Sequence, residues 1–193
     1  MDDLVAASDA RLAAQAASGD RRAFELLATR WWERMLRYAA AAVAGDAQLA
    51  EEAAQDALMR LHRALPRFRG DSAFGTFLYR ICRNAAIDAL RSQARRRRHY
   101  AALSEEEEAR LPSAHRGPEE SLLRHDEGRA LRKALDRLRP DERSLIFLKE
   151  AEGMGMDELV RVFGLPEGTV KSRLFRARAK LRTMLEEDGY VID

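Results

Sequence analysis

The chain has 193 residues, of which 46% are hydrophobic and 34% charged, and its formal net charge is +2. That length suits one medium domain or two small ones, with enough apolar content for a core. A single cysteine, Cys82, excludes an internal disulfide, and four scattered histidines offer no metal-ligand spacing, so we expect neither a metal nor a cofactor. The acidic N-terminus lacks the apolar core of a secretory signal, and no apolar run approaches the ~20 residues needed to span a bilayer. We therefore expect a cytoplasmic protein.

Apolar residues recur at helical spacing through most of the chain, and no segment alternates as a β-strand does. Three helices are predicted before residue 99, each with one apolar stripe that a common core could bury. The first follows candidate N-caps at Ser18 and Asp20, the second ends at Pro66, and the third ends in the arginines 95–98. Their stripes are Phe24, Leu27, Trp31, Met35 and Tyr38; Leu49, Ala53, Ala57, Leu61 and Leu65; and Phe77 (or Leu78), Ile81 and Ala85.

The helical pattern fails between His99 and Pro118, where the acidic run Glu105–Glu108 is followed by Pro112 and Gly117. This composition predicts a flexible linker. The acidic run is most simply a solvated part of that linker, and masking of a basic surface is the alternative.

Beyond the linker the chain is helical again, with predicted helix ends at a proline and two glycines: Pro140, Gly153 and Gly164. The sequence therefore predicts an all-α fold of two small helical domains, residues 9–98 and 119–187, joined by a flexible linker at residues 99–118.

The segment "MDELVRVFGLPEGTVKSRLFRAR" predicts a helix-turn-helix, with a short helix, a tight turn at residues 164–166 and a longer helix. Facing apolar residues would wedge the two helices apart at a steep angle, so that the second helix enters the major groove of DNA. We expect the facing residues to be Leu159, Val160 and Phe163 on the short helix and Val170, Leu174 and Ala177 on the long one.

The second helix of this motif carries six basic residues between Gly168 and Arg182 and no acidic one. Cations near a helix C-terminus are favourable on electrostatic grounds alone, so a solvated face is one interpretation. Solvated faces usually interleave Glu with Lys or Arg, because oppositely charged pairs four residues apart stabilise a helix. Since no acid lies between Glu167 and Glu186, we expect unpaired charges and favour an anionic partner. Phosphate contacts would supply affinity, and polar groups at the helix start would read base edges.

The two segments "AEEAAQDALMRLHRALPRFRGDSAFGTFLYRICRNAAIDALR" and "LDRLRPDERSLIFLKEAEGMGMDELVRVFGLPEGTVKSRLFRARAKL" together resemble bacterial RNA polymerase sigma factors, more narrowly the extracytoplasmic-function group. The resemblance covers roughly residues 9–186. It implies an N-terminal domain that binds the β′ clamp helices of polymerase and opens the −10 element, and a C-terminal domain that binds the β flap and reads the −35 element. It also implies an anti-sigma factor that holds the domains in a compact arrangement. No catalytic activity and no small-molecule substrate are expected.

By position, the loop "FRGDSAF" and the helix after it resemble the part of the family that captures a base flipped out of the −10 element. An extruded base needs an apolar wall to stack on and an amide that can hydrogen-bond its edge, and arginines could hold the single-strand backbone. The matching residues are Phe68, Phe77, Ile81 and Asn84, with Arg80, Arg83 and Arg91 for the backbone. The alternative is that Phe77, Ile81 and Cys82 belong wholly to the core. Arg95–Arg98 would track phosphates or simply end their helix.

Two further sets follow from the resemblance. The −35 set is Thr169, Lys171, Ser172, Arg173, Phe175 and Arg176, and the polymerase-binding set is Glu51, Glu52, Gln55, Asp56 and Arg60. Plain solvation is the alternative for the second set, and packing against a neighbouring helix is the alternative for Phe175. Gly155 departs from the family pattern, because it replaces a residue whose side chain would cap the first helix of the helix-turn-helix.

The upstream domain separates the sigma-factor interpretation from two others. A stand-alone helix-turn-helix regulator would leave the N-terminal domain unexplained. A sigma-like decoy that sequesters a regulator without touching DNA should have lost its basic recognition surface, and this chain retains it.

Overall fold

The computed structural model describes residues 4–103 and 124–190. Within them the chain forms α-helices and no β-strand, which confirms the predicted all-α fold. The helices are α1 (Asp9–Ala17), α2 (Arg21–Ala42), α3 (Ala47–Ala64), α4 (Phe74–Leu103), α5 (Arg124–Arg137), α6 (Pro140–Ile146), α7 (Met156–Phe163) and α8 (Glu167–Glu187). A 3-10 turn, Leu65–Arg67, follows α3, and a π-helical turn, Phe147–Ala151, continues α6. No helix of these described ranges is long and apolar enough to cross a membrane.

Side-chain caps begin the first helices. The Asp20 carboxylate accepts a hydrogen bond from the backbone N–H of Ala23 at 3.1 Å, and Asp46 accepts one from Leu49 at 3.0 Å. Each cap satisfies an N–H that has no partner inside its helix. Ser18, the other predicted N-cap, is the C-cap of α1, a helix that the sequence pattern did not reveal. The short turn between α1 and α2 therefore contains both the C-cap of α1, Ser18, and the N-cap of α2, Asp20.

The buried stripes of α2 and α3 agree with the predicted ones. Leu27, Met35 and Tyr38 on α2 are fully buried, Trp31 is nearly so, and Phe24 packs at the edge of the core. Every predicted stripe residue on α3 and in the 3-10 turn after it is buried. Helices α2 and α3 therefore present their apolar faces to a shared interior, as the spacing of three and four residues requires.

Helix α4 differs from its prediction in phase. Its buried stripe runs through Phe74, Leu78, Cys82 and Ala85, while Phe77 and Ile81 remain partly exposed. The sequence "FLY" at positions 77–79 is apolar throughout, so spacing alone allowed either phase. The structure therefore selects Leu78, the other residue predicted for this position, over Phe77, and the placement of Ile81 in the stripe is wrong. The alternative that Phe77, Ile81 and Cys82 belong wholly to the core holds only for Cys82.

The end of α4 also differs from its prediction. The helix continues past Arg98 to Leu103, into the segment predicted as linker. Arginine and alanine are strong helix formers, so their run extends the helix although it has no apolar stripe. The remaining part of the predicted linker, with its acidic run, and the predicted start of the second domain at residue 119 lie outside the described residues.

The C-terminal helices pack directly on the N-terminal ones. Leu145, Leu148 and Phe163 join the same apolar cluster as residues of α2 and α4, and the rings of Tyr38 and Phe147 lie 5.8 Å apart in an edge-on contact. The Arg34 guanidinium on α2 forms an ion pair with Glu152, which follows the π-helical turn. The two halves therefore share an interface with an apolar centre and a charged edge.

The buried guanidinium of Arg143 on α6 connects three helices. It donates to the carbonyls of Ala41 and Ala42 at the end of α2, at 3.0 and 2.9 Å, and to those of Asp136 and Leu138 at the end of α5, at 3.0 and 2.6 Å. Carbonyls in the last turn of a helix have no partner inside that helix, and they carry its partial negative charge. Burial lowers the pKa of Arg143, against the opposing effect of the Asp136 carboxylate.

We expect Gly75→Ala to destabilise the fold. A Cβ atom built on Gly75 would lie 2.9 Å from a ring carbon of the buried Trp31 indole, so the ring, which packs against Phe74 and Tyr79, or helix α4 would have to shift. Overpacking of this kind costs about 1–3 kcal/mol. Urea unfolding followed by far-ultraviolet circular dichroism would measure the change.

Gly128→Ala on α5 is the matched control for that substitution. A Cβ atom there meets nothing within 4 Å, so the variant should gain roughly 0.5–1 kcal/mol from helix propensity. Equal stability changes in the two variants would contradict a close contact between Gly75 and Trp31.

Candidate nucleic-acid interface

Part of the predicted −10 set lines a cavity of about 420 Å³ at the start of α4. The rings of Phe68 and Phe77 lie 4.9 Å apart and tilted, and the Arg80 guanidinium lies 5.8 Å from the Phe77 ring centroid. The cavity is also lined by polar residues of the preceding loop and of the first turns of α4: Arg67, Arg69, Asp71, Ser72 and Thr76. The cavity therefore combines an aromatic floor with a polar rim, which suits a flat aromatic ring that carries hydrogen-bonding groups.

Arg161, on α7, also lines this cavity, and sequence reasoning did not find it. Its guanidinium donates to the backbone carbonyl of Asp71 at 2.9 Å. The pattern around Arg161 indicates only a surface cation on a short helix, because the contact depends on how the two halves pack. The rim of the cavity thus contains a residue from the other half of the chain.

The rest of the predicted −10 set lies along α4, outside that cavity. Ile81 is partly exposed and Asn84 is exposed, and they follow Phe77 at spacings of four and seven residues, on one helix face. Arg83 and Arg91 instead line a second cavity between the two halves, of about 650 Å³. The structure therefore separates the predicted set into an aromatic cavity with its helix face and a pair of arginines at the joint between the halves.

The helix-turn-helix has the predicted form. Gly164 ends α7 in the left-handed conformation, with φ of +64°, and its N–H donates to the Val160 carbonyl at 2.8 Å. The facing residues are those predicted, except that Val162 is buried and Val160 is only partly so. The reason is that Leu159, Val162 and Phe163 are spaced by three and four residues and share one face.

Gly155 gives α7 no side-chain cap, as expected. Its backbone N–H donates to the Glu158 carboxylate at 2.9 Å, so a residue inside the first turn provides half of a capping box. The other oxygen of Glu158 accepts from the Thr76 hydroxyl on α4 at 3.1 Å. The start of the helix-turn-helix is therefore held partly by the N-terminal half of the chain.

Much of the predicted −35 set is on the open face of α8. Lys171, Ser172 and Arg176 are exposed, while Thr169 and Arg173 are partly exposed. Phe175 is 74% exposed, so it does not pack against a neighbouring helix, which was the alternative for this residue. Its ring is therefore accessible to a partner on the basic face of α8.

The expectation of unpaired charges on α8 is wrong for four of its six cations, since carboxylate partners lie beside Lys171, Arg173, Arg178 and Lys180. Arg178 donates to Glu150 at 3.0 Å, Lys180 to Glu142 at 2.6 Å, and Lys171 pairs with Glu167 at 2.5 Å. Two of these acids belong to α6 and the π-helical turn after it, and they become neighbours of α8 only when the chain folds. A search along the helix for acidic residues therefore missed them.

Glu142 is nearly buried at the base of the second cavity. Burial alone would raise its pKa, but the Lys180 ammonium and the backbone N–H and guanidinium of Arg139 outweigh burial and lower the pKa to about 2. The carboxylate is therefore held ionised beside α8. It joins Lys180, in the C-terminal half of α8, to the first turn of α6.

The predicted polymerase-binding set lies on the outer side of α3. Glu51, Glu52 and Gln55 are exposed. Arg60 is half-buried and lies between Asp56 and Asp88, at 2.8 Å from each carboxylate. Met59, which sequence reasoning missed, is 53% exposed on the same stretch of helix; its position four residues after Gln55 was the available signal. The surface is acidic, with one exposed apolar group.

This geometry defines a helix-turn-helix protein with a second helical domain, and two family models match the chain in the corresponding order. Sigma-70 region 2 matches residues 27–96, and Sigma-70, region 4 matches residues 128–181, together more than half of the chain. The chain belongs to the sigma-70 family of RNA polymerase sigma factors, in its extracytoplasmic-function group, as the sequence predicted.

Individual relatives resemble the chain over nearly its whole length. The RNA polymerase sigma-H factor of Pseudomonas aeruginosa is 35% identical over 183 residues, which cover 92% of this chain and 94% of the relative. The ECF RNA polymerase sigma factor SigM of Mycobacterium tuberculosis is 36% identical over 185 residues, covering 95% and 86%.

Two solved structures share the fold. CnrH in complex with the cytosolic domain of CnrY has a TM-score of 0.65 at 29% identity, covering 93% of this chain and 98% of CnrH. RpoE in complex with the anti-sigma factor NepR, from Bartonella quintana, has a TM-score of 0.63 at 27% identity, covering 84% and 96%.

The depressed pKa of Glu142 predicts an acid-sensitive contact. A carboxyl group with a folded pKa of about 2 and an ordinary value of 4.5 contributes stability that is complete above its unfolded pKa and is lost as the pH falls toward 2. The stability difference between the wild type and Glu142→Gln should therefore shrink steadily below about pH 5. Urea midpoints measured from pH 6 to pH 2.5 would show it.

Lys180→Gln provides the partner variant, since it removes the ammonium group that lowers the Glu142 pKa. Its stability should depend less on pH over the same interval. Parallel stability profiles for all three proteins would contradict the ion pair.

Proposed function

We propose that this chain is the promoter-specificity subunit of a bacterial RNA polymerase, which directs initiation by reading the −35 element and by reading and melting the −10 element. The observation that carries the proposal is that one chain has both an aromatic cavity at the start of α4 and an exposed basic face on α8, the second helix of the helix-turn-helix. The polymerase performs the chemistry, and this subunit acts in the cytoplasm and contributes only binding.

At the −10 element, a base extruded from the non-template strand enters the cavity of Phe68 and Phe77 and stacks on their rings. Stacking of this kind contributes about 1–3 kcal/mol per base, which offsets the cost of unpairing. Asn84 and Ile81, further along the same face, contact the next part of the strand. Arg80, with Arg83 and Arg91, neutralises its phosphates.

At the −35 element, α8 lies in the major groove. Lys171, Ser172 and Arg176 face the base edges, with Thr169 and Arg173 beside them, and Phe175 packs on thymine methyl groups or sugars. Phosphate groups of the DNA backbone beside the groove also contact the protein, because contacts to the DNA backbone position the recognition helix of this motif in the major groove.

The outer side of α3 binds the β′ clamp helices through Glu51, Glu52, Gln55, Asp56 and Arg60, and the C-terminal domain binds the β flap. The domains that carry these surfaces are residues 9–98 and 119–187, joined by the linker 99–118. In the N-terminal domain, this assignment puts the polymerase contacts on α3 and the DNA contacts on α4 and the loop before it.

An anti-sigma factor controls the chain in this proposal. Support comes from RpoE, a structural neighbour solved in complex with the anti-sigma factor NepR. Such a partner would hold the domains in a compact arrangement that hides the polymerase-binding surfaces. A stand-alone regulator is disfavoured by the region 2 match, and a decoy by the exposed basic face of α8.

A reconstituted transcription assay tests the proposal. The purified chain is added to core polymerase and genomic DNA fragments, and the 5′ ends of the transcripts are mapped. We expect a defined set of start sites that share two upstream elements. Absence of polymerase binding together with tight duplex binding would favour the stand-alone regulator, and polymerase-independent binding of a regulator without any start sites would favour the decoy.

Arg176→Ala should weaken initiation that depends on the −35 element. Loss of one base-edge contact costs about 1–3 kcal/mol, so initiation at limiting protein should fall roughly tenfold or more, and base preference at the contacted position should relax. Arg178→Ala is the matched control, because it removes the same charge from the other side of α8, where the side chain pairs with Glu150. Equal losses in the two variants, with unchanged base preference, would contradict readout by Arg176.

Asn84→Ala should instead alter base preference at the −10 element. The amide is the only group of its kind on the Phe77 face of α4, so its removal should relax discrimination at one base by about 1–3 kcal/mol. Promoter libraries randomised separately in each element would measure this. Arg176→Ala should leave the −10 preference unchanged and Asn84→Ala the −35 preference, so each variant controls for the other.

A further inference from the structure

The carboxylate of Asp141, in the first turn of α6, lies between two predicted DNA-contacting residues from different domains. Arg83 on α4 donates to it twice, at 3.1 and 2.7 Å, and Arg173 on α8 lies 3.7 Å from its other oxygen. The Arg83 guanidinium also lies 4.9 Å from the ring of Phe163, at the end of α7. One acidic side chain thus links the −10 helix to the −35 helix.

Other contacts close the same joint. Arg161 reaches from α7 to the backbone of Asp71 on the rim of the aromatic cavity, and Glu158 accepts from the buried Thr76. Helix α7 therefore borders the cavity in which the proposed −10 base would sit. The C-terminal half covers part of the −10 surface while its own recognition helix stays tied to Asp141.

In this closed arrangement the chain cannot contact both promoter elements at the same time. Elements centred near −35 and −10 are about 25 base pairs apart, or about 85 Å of duplex at 3.4 Å per pair. In the closed chain, Arg83 and Arg173 contact a single carboxylate. The joint must open before the chain can reach both elements, and the two arginines must exchange Asp141 for phosphates.

We propose that Asp141 is an autoinhibitory clasp, which holds the free chain closed without any partner protein and competes with DNA for Arg83 and Arg173. The assignment of these arginines to DNA rests on the proposed function, whereas closure itself does not. Arg83 is the more buried of the two, with 16% of its side chain exposed, so its charged hydrogen bonds to Asp141 are only weakly screened by water.

Distances between the domains test the clasp directly. Nitroxide labels are attached to Arg22→Cys on α2 and Thr183→Cys on α8, which are exposed positions outside the proposed sites. The native Cys82 should resist labelling, because it is buried and burial raises the pKa of its thiol to about 12. Double electron–electron resonance on the full chain, without polymerase or DNA, then gives the distance distribution.

Asp141→Arg places a third cation beside Arg83 and Arg173, and we expect the population at long distances to rise about tenfold. Glu187→Arg is the matched control: it makes the same charge change in the same domain and disrupts only the Arg137 pair within that domain. It should keep the short distances of the wild type. A charge swap, Asp141→Arg with Arg83→Asp, should restore the short distances.

A wild-type distribution that is already broad would overturn the proposal, and so would identical distributions for the wild type and Asp141→Arg. Circular dichroism checks that each variant is folded, and Asp141→Asn, which keeps the shape of the side chain, should give a smaller shift in the same direction.

The transcription assay tests the inhibitory effect of the closed state. Asp141→Asn should need about threefold less protein than the wild type for half-maximal initiation, and Glu187→Gln should need the same amount as the wild type. A higher requirement for Asp141→Asn would contradict autoinhibition. Absence of any initiation by the wild type would refute the proposed function and leave the distance result standing.

Discussion

The arrangement of the two halves depends on one buried cation, Arg143. Its guanidinium fills the space between the C-terminal ends of α2 and α5, where main-chain carbonyls are left without helical partners, and it donates to two carbonyls at each end. A planar group with five fixed N–H donors can satisfy two helix ends at once, which a lysine ammonium on a flexible stem cannot do in the same geometry. Because burial of an unsatisfied charge is costly, these helix ends stay together while Arg143 is buried, and opening of the joint at Asp141 must bring the guanidinium into water. Helix α6 is thereby fixed against both halves.

The fixed position of α6 explains the charge pattern of the joint. Asp141 and Glu142 follow Pro140 in the first turn of α6. Acidic side chains are stabilised there by the partial positive charge of the helix N-terminus. Once Arg143 fixes that helix, these two carboxylates face the basic side of α8 and the arginines of α4. The net charge of +2 therefore says little about the distribution of charge. Basic and acidic residues are separated along the chain, but the fold brings them together at this joint.

The parts of the fold that the sequence predicted are those encoded within one helix or one turn. The stripes of α2 and α3, the N-cap Asp20 and the helix end at Gly164 all follow from spacing and residue type over a few positions. The phase of α4 did not, since three adjacent apolar residues satisfy two phases equally. The pairing of Arg83 with Asp141 joins residues 58 positions apart, and that of Arg34 with Glu152 joins residues 118 apart. Such contacts are set by the packing of the halves, and no local pattern contains them.

The same distinction changes how the basic helix should be understood. Its cations first indicated a surface held ready for phosphates, yet Lys171, Arg173, Arg178 and Lys180 already have carboxylate partners in the closed chain. For Lys171 and Arg173, which belong to the proposed −35 set, binding of a duplex exchanges one anionic partner for another, whereas Arg178 and Lys180 keep their carboxylate partners on the other side of the helix. The number of cations on α8 therefore overstates the counterions that binding would release and the affinity that charge alone would supply. On that face, among the described residues, Arg176 contacts only Ser172 and has no carboxylate partner, and Phe175 is an apolar group already in water. Its burial in the groove gains hydrophobic free energy without breaking an ion pair, so recognition by α8 depends on shape and apolar contact as well as on charge.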